Sequence, residues 1–104
     1  MKRRGGRPIG PDPKKVEIIL RVLRMYKDGI WLRNLAKETH LPISTLTYYI
    51  DHFLEYFVEN LGYRDEKGRF MGIRIIKLKK GKENLTTKDV LHYWEVKRRI
   101  KHII

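Results

Sequence analysis

A break at Leu41 and Pro42 constrains the fold of this 104-residue chain more than any other feature. Proline restricts the residue before it to extended conformations, so a helix cannot continue through this point. Residues 32–39 before the break have apolar side chains at helical spacing, and Ser44 after it is placed to cap another helix. The apolar side chains that share one side of this later helix, and that we expect in the core, are Leu46, Ile50, Phe53 and Phe57. The sequence therefore predicts two short helices joined by a tight turn.

Two further helices are predicted towards the ends of the chain. Asp12 and Pro13 form a typical cap and first turn, and Gly29 supplies a stop, so the first helix is predicted over residues 13–28. Thr86 offers a cap for the last helix, which we expect from about Lys88 to the end of the chain. Together with the pair around the break, these helices make the predicted fold mainly α.

Residues 61–78 change from a helical period to a strand-like one. The turn residues Asp65, Glu66, Lys67 and Gly68 lie within this stretch, so we expect a β-hairpin with a basic tip and a second strand over residues 70–78. Residues 1–11 combine basic residues with Gly and Pro and contain no acidic residue, which predicts a flexible arm. The expected organisation is a basic arm (1–11), an α+β, mainly α domain (12–85) and a C-terminal helix (86–104).

The charge of the chain is strongly positive, because 24 Lys and Arg residues against 12 Asp and Glu residues give a net charge of +12. Such a field attracts polyanions, which makes nucleic acid and acidic membrane surfaces the two natural partners. No apolar run approaches the roughly 18 residues that a membrane helix needs, so we expect a soluble, cytoplasmic protein. The absence of Cys excludes disulfides, thiolate zinc sites and thiol nucleophiles. Abundant Lys, Arg, Glu and Ile without Gln favour a thermophilic source.

Residues 35–53, with the sequence LAKETHLPISTLTYYIDHF, resemble the helix-turn-helix of bacterial and archaeal winged-helix regulators such as the MarR, ArsR and PadR families. In those families an alanine of the first helix packs under the second, an apolar turn residue fills the core, and Ser or Thr residues begin the recognition helix. Ala36, Leu41, Ser44 and Thr45 occupy those positions. The resemblance implies a winged helix-turn-helix, with three helices and a β-hairpin wing, in a protein of archaeal type.

The resemblance also implies a function, namely sequence-specific binding of double-stranded DNA by a transcriptional regulator whose third helix lies in the major groove. Side-chain hydroxyls at the start of that helix can donate to or accept from the base edges. The predicted base-reading residues are Ser44, Thr45, Thr47 and Tyr48. The alternative is that these residues form only a cap and a solvated helical face.

Basic residues at three other places are predicted to contact phosphates or the minor groove. Arg33 lies at the start of the second helix, and Lys67 and Arg69 lie at the hairpin tip. In the arm, residues 4–8 (RGGRP) resemble an AT-hook, from whose RGRP core they depart by one extra Gly. The arm residues predicted to contact DNA are Arg3, Arg4 and Arg7. Solvated loop charges and a nonspecific basic tail are the alternatives for these groups.

Two features depart from the family pattern. His40 stands where the turn usually has Gly, and the third helix is expected to be about a turn longer than usual before Gly62. The later part of this helix is also acidic, with Asp51, Glu55 and Glu59 at successive turns, and their carboxylates would repel phosphate. We therefore expect only the start of the helix to approach DNA.

The last helix carries more apolar surface than packing on one core requires. One part, with Val90, Leu91 and Trp94, is expected to face the domain. The residues expected to join a second copy in a homodimer are Tyr93, Val96, Ile100 and Ile103. Related winged-helix proteins commonly dimerise in this way, and a dimer would bind a two-fold site. The alternative is that all of these side chains lie in the core of one chain.

No pattern in the sequence predicts catalysis. The His residues at positions 40, 52, 92 and 102 lack metal-site spacing such as HExxH, and the chain has no Gly-rich phosphate loop. We therefore expect neither an enzyme nor a bound metal, cofactor or small-molecule ligand. Two other functions stay open: a nonspecific, nucleoid-associated architectural DNA-binding protein, and a winged-helix interaction module of the transcription or replication machinery.

Overall fold

Helices and an antiparallel sheet make up the computed structural model, which describes the backbone of residues 10–103 and the side chains of residues 10–100. In chain order its elements are α1 (Pro13–Met25), β1 (Ile30–Trp31), α2 (Leu32–Thr39), α3 (Ile43–His52), β2 (Val58–Arg64), β3 (Phe70–Leu78) and α4 (Thr87–Ile103). Over these residues the fold is α+β, with four helices and a three-stranded sheet in the order β1-β3-β2. This arrangement is compatible with a winged helix.

The first helix begins as predicted but ends earlier. The side chain of Asp12 accepts the backbone N–H of Lys14 at 2.9 Å and so caps α1. The helix ends at Met25 rather than at residue 28, because the chain then turns, with the N–H of Gly29 donating to the carbonyl of Tyr26. Gly29 has a φ of 107°, which glycine adopts without strain. The turn leads into β1, a two-residue strand that the sequence analysis did not predict.

The third helix is shorter than predicted. It ends at His52, Phe53 forms its C-terminal cap, and a turn over residues 54–57 leads into β2 at Val58. The prediction of a helix reaching close to Gly62 is therefore wrong, although Phe53 and Phe57 are buried as expected. Their spacing continues the helical period of α3, but they lie in the cap and the turn that follow the helix and are buried there. Glu55 and Glu59 consequently do not lie on α3.

The predicted β-hairpin is present, with β2 and β3 antiparallel on either side of the turn at Asp65–Gly68. Its first strand begins earlier than expected, because Val58 already pairs with Leu78. The pairing slips between Leu61, which lies opposite Ile75, and Tyr63, which lies opposite Met71. A step of two residues along β2 therefore corresponds to a step of four residues along β3. This bulge interrupts the alternation of inward-facing and outward-facing side chains along β3.

The core lies between the helices and the inner face of the sheet. Its fully buried side chains include Ile19 and Leu20 of α1, Leu35 of α2, Leu46 of α3 and Ile76 of β3. The last helix packs on this core through Val90, with Tyr93 and Trp94 against its edge. Burial of this apolar area supplies the main stabilisation and holds α3 with one side inward and the other exposed. Among the described residues, every helix is too short or too polar to cross a bilayer.

Candidate nucleic-acid interface

The start of α3 presents polar side chains on the side opposite its buried residues. Ser44 and Tyr48 share the exposed side, Tyr48 with 53% of its surface accessible, and the half-buried Thr45 and Thr47 flank them. Ser44 was predicted to cap the helix, and this is wrong, because Pro42 occupies the N-cap position with a ψ of 145°. No side chain of the described residues caps α3. The structure thus brings the four predicted base-reading residues onto one accessible region.

An open cleft of about 760 Å³ lies between the start of α3 and the start of α1. Ser44, Thr45 and Tyr48 line one side of it, and Asp12 and Lys15 lie on the other. The N–H of Asp12 donates to the hydroxyl of Tyr49 at 2.9 Å, which ties the two helix starts together.

Gly10 lies at the edge of this cleft and fixes where the preceding chain enters the domain. It has a φ of 100°, and a Cβ atom there would lie 2.7 Å from the ring of Trp94. Only glycine fits this close approach without strain. The predicted arm residues Arg3, Arg4 and Arg7 lie outside the described residues.

The hairpin tip is organised by one carboxylate. Asp65 accepts the backbone N–H groups of Lys67 at 2.9 Å and Arg69 at 2.8 Å, and its second oxygen accepts Nε of Arg69 at 2.8 Å. The backbone N–H of Arg69, with the other hydrogen bonds of the turn, holds the pKa of Asp65 below its ordinary value. Arg69 is exposed but forms an ion pair with Asp65, whereas Lys67 forms no ion pair within the described residues.

Apolar side chains are also exposed on the hairpin, and the sequence analysis did not single them out. Tyr63 and Met71 lie opposite each other near the tip, and Ile73 lies in the bulge. The sequence did not predict their exposure, because the bulge shifts the pairing of the two strands and so changes which side chains of β3 face outward. A hairpin with basic and apolar side chains at its tip can contact both phosphates and sugars of a groove.

Arg74 connects the hairpin to α3, which the sequence analysis missed. Its guanidinium is buried and donates to Asp51 at 2.6 Å and to Asn60 at 2.9 Å. The ring of Phe70 lies 4.5 Å from it, and Arg64 lies over the same ring at 4.1 Å. The charge of Asp51 is therefore paired, so the expectation that it repels phosphate loses its basis. The sequence feature that could have indicated this contact is an arginine within a strand rich in Ile.

Arg33 is a predicted phosphate contact on α2, not on α3 or the hairpin. It is exposed at the first turn of α2, at the opposite end of that helix from the turn that leads into α3. Its guanidinium lies 5.1 Å from the ring of Trp31. The structure therefore groups Ser44, Thr45, Thr47 and Tyr48 but leaves Arg33 apart from them.

The stripe predicted for dimerisation is divided between the core and the surface. Tyr93 stacks on Tyr56, with ring centres 4.6 Å apart and planes at 15°, and packs against the core of its own chain. Val96 and Ile100 are exposed. Ile103 ends α4, but its side chain lies outside the described ones. Of the four predicted residues, Val96 and Ile100 are thus the ones whose side chains are described and exposed.

Comparisons with known proteins add no relative. No family model, curated protein or solved structure matches this chain. The surface at the start of α3, the hairpin and the charge of the chain are therefore the features that bear on function.

Proposed function

We propose that this chain is a winged-helix protein that binds double-stranded DNA sequence-specifically as a transcriptional regulator. The observation that carries the proposal is the accessible hydroxyl-bearing region at the start of α3, on a helix whose other side is fully buried. A helix anchored in this way can enter the major groove as a rigid unit. The net charge of +12 supplies the attraction to the phosphate backbone.

The start of α3 provides the chemistry for base recognition. The hydroxyls of Ser44, Thr45, Thr47 and Tyr48 can each donate or accept, and base edges in the major groove present donors and acceptors in a distinct order. Asp51, one turn later on the exposed side, is held by Arg74 and does not add free negative charge near the groove. The helix can therefore approach DNA along its first two turns.

The hairpin and the arm provide contacts that position the protein. Lys67 and Arg69 at the tip are exposed and can contact phosphates, and the exposed Tyr63 and Met71 can contact the sugar edges of the minor groove. Gly10 lies beside α3, and we propose that Arg3, Arg4 and Arg7, which precede it in the sequence, contact the groove next to the one that α3 occupies. These contacts carry little sequence information and raise affinity for every duplex.

A homodimer is part of the proposal. Val96 and Ile100 offer an exposed apolar surface on α4, and Ile103 continues the same spacing. Tyr93 is no longer included, because it is used within its own chain. A dimer would place two copies of α3 on a two-fold site, and the protein would be nucleoid-associated in the cell.

The experiment is a selection of bound fragments from a random duplex pool at two salt concentrations. The wild-type chain is compared with a Thr47→Ala, Tyr48→Ala double variant and with Tyr26→Ala, which removes an exposed tyrosine from the far end of α1. We expect a palindromic motif from the wild type and the control, and weaker discrimination from the double variant. Equal loss of affinity for the selected site and for random DNA in the double variant would contradict base reading by α3. Salt-sensitive binding without any motif would instead support a nonspecific architectural protein.

A further inference from the structure

A second basic surface lies where β3 ends. Lys79, Lys80 and Lys82 occupy a tight turn that closes through a hydrogen bond from the N–H of Lys82 to the carbonyl of Lys79. The ammonium groups of Lys79 and Lys82 lie 5.4 and 5.6 Å from the ring centre of Tyr56, which is half exposed. We call these four residues the lysine–tyrosine surface.

Tyr56 is itself fixed in place. One face of its ring stacks on Tyr93 of α4, and the ring is perpendicular to that of Phe57, with ring centres 5.1 Å apart. A fixed ring attracts cations above it, so both ammonium groups are drawn to within 5.6 Å of the same ring centre. The positive charge is therefore concentrated instead of being spread over freely moving side chains.

One carboxylate lies in the same turn. Glu83 accepts the N–H of Gly81 at 3.3 Å, and backbone N–H groups, together with the charges of Lys27 and Lys80, hold the pKa of Glu83 below its ordinary value. Asp89, at the start of α4, also interacts with Lys82, so two carboxylates lie among Lys27 and the three lysines of the turn, and this part of the surface keeps a net positive charge. It therefore suits a polyanion.

The lysine–tyrosine surface is well separated from the proposed recognition surface. Asp12, at one end of α1, contacts Tyr49 of α3, and Arg24 near the other end donates to the carbonyl of Leu85 at 2.8 Å, just after the lysine turn. These two contacts are about 18 Å apart along the helix axis. The hairpin tip is separated from Leu78, at the other end of β3, by on the order of 25 Å. A duplex bound at α3 and the hairpin tip therefore leaves the lysines free.

We propose that the lysine–tyrosine surface binds the phosphates of a second duplex, so that one molecule bridges two DNA segments. The inference rests on the proposed function, since it assumes a first duplex at α3. Lysine binds phosphate as a point charge, so the second contact has no sequence preference. DNA is the occupant that the charge favours, because the surface carries three lysines and the chain as a whole has a net charge of +12.

The test is capture of a labelled duplex by full-length protein bound to a second, immobilised duplex. A Lys79→Gln, Lys82→Gln variant is compared with Arg21→Gln, Arg99→Gln, which removes the same charge from exposed positions on α1 and α4. Binding to the immobilised duplex alone is measured in parallel, and unfolding midpoints confirm that both variants are folded. We expect the lysine variant to bind the first duplex like the control but to capture about tenfold less of the second one.

The outcomes separate the two proposals. Equal capture by the lysine variant and the control would overturn the second site, and bridging would then come from two α3 helices of a dimer. Capture of polyglutamate in place of a second duplex would also overturn it, in favour of an acidic protein partner. Failure of the wild type to bind even the immobilised duplex would contradict the proposed function itself.

Discussion

Replacing Asp51 by Ala should destabilise the domain more than replacing Arg74 by Met, although both changes break the same ion pair. The two partners differ in their surroundings: 47% of the Asp51 side chain is accessible, against 10% of the Arg74 side chain. Without Asp51, the partners that the buried guanidinium keeps among the described residues are Asn60 and the ring of Phe70. Without Arg74, the carboxylate of Asp51 is left at the surface, where water can solvate it.

This difference sets the expected magnitudes. A buried polar group that loses its partner costs about 1–3 kcal/mol, and we expect Asp51→Ala to lie in the upper half of that range because the group is charged. Arg74→Met keeps an apolar stem of similar length and should cost about 1 kcal/mol. The double variant should be close to Arg74→Met alone, because no buried charge is then left unpaired. Each kcal/mol corresponds to about 4–8 °C in Tm for a domain of this size.

The assay is guanidinium chloride unfolding at pH 7, followed by far-UV circular dichroism, for the wild type, both single variants and the double variant. Equal slopes would allow the free energies of unfolding to be compared directly. The reasoning is refuted if Arg74→Met costs as much as Asp51→Ala, or if the double variant is less stable than either single variant.

Two further predictions concern turns. His40 has a φ of 61°, which is unfavourable for a residue with a Cβ atom. Replacing it by Gly should therefore raise the free energy of unfolding by up to about 1 kcal/mol. A lower free energy of unfolding in His40→Gly would show instead that the imidazole stabilises the fold. At the hairpin tip, the hydrogen bond from the backbone N–H of Arg69 is the main reason that the pKa of Asp65 lies below its ordinary value of 3.8. The ionised carboxylate therefore stabilises the fold above pH 3.8. This stabilisation is lost as the pH falls through the lower pKa of the folded state. Asp65→Asn should therefore be less stable than the wild type at pH 7, with a difference that shrinks in acid. Unfolding midpoints over a pH series would show this, and a difference independent of pH would argue against it.

Local signals predicted some boundaries to the residue and missed others. The range of α2 was confirmed because the break at Pro42 and the apolar spacing before it leave one solution, and β3 was confirmed over Phe70–Leu78. The end of α3 could not be predicted, because Phe53 and Phe57 continue a helical period while lying in a cap and a turn. The two-residue strand β1 exists only through its pairing with Ile75 and Ile76, and no local pattern encodes such a pairing.

The candidate site also combines features that the sequence predicted with features that it could not predict. That Ser44 and Tyr48 face outward follows from the burial of Leu46 and Ile50, which the sequence pattern already indicated. The pairing of Arg74 joins residues far apart in the sequence and depends on the tertiary fold, so spacing could not reveal it. Tyr93 looked available for a second copy until its stacking on Tyr56 placed it within its own chain.

The central claim is that this chain binds duplex DNA, and its most direct test is an equilibrium titration of the full-length protein against one duplex over a series of salt concentrations. We expect the logarithm of the association constant to fall linearly with the logarithm of the salt concentration, with a slope of about −0.9 for each phosphate contact. Replacing Lys67 and Arg69 by Gln should make that slope shallower. Absence of binding at low salt, or an affinity that does not change with salt, would contradict the account.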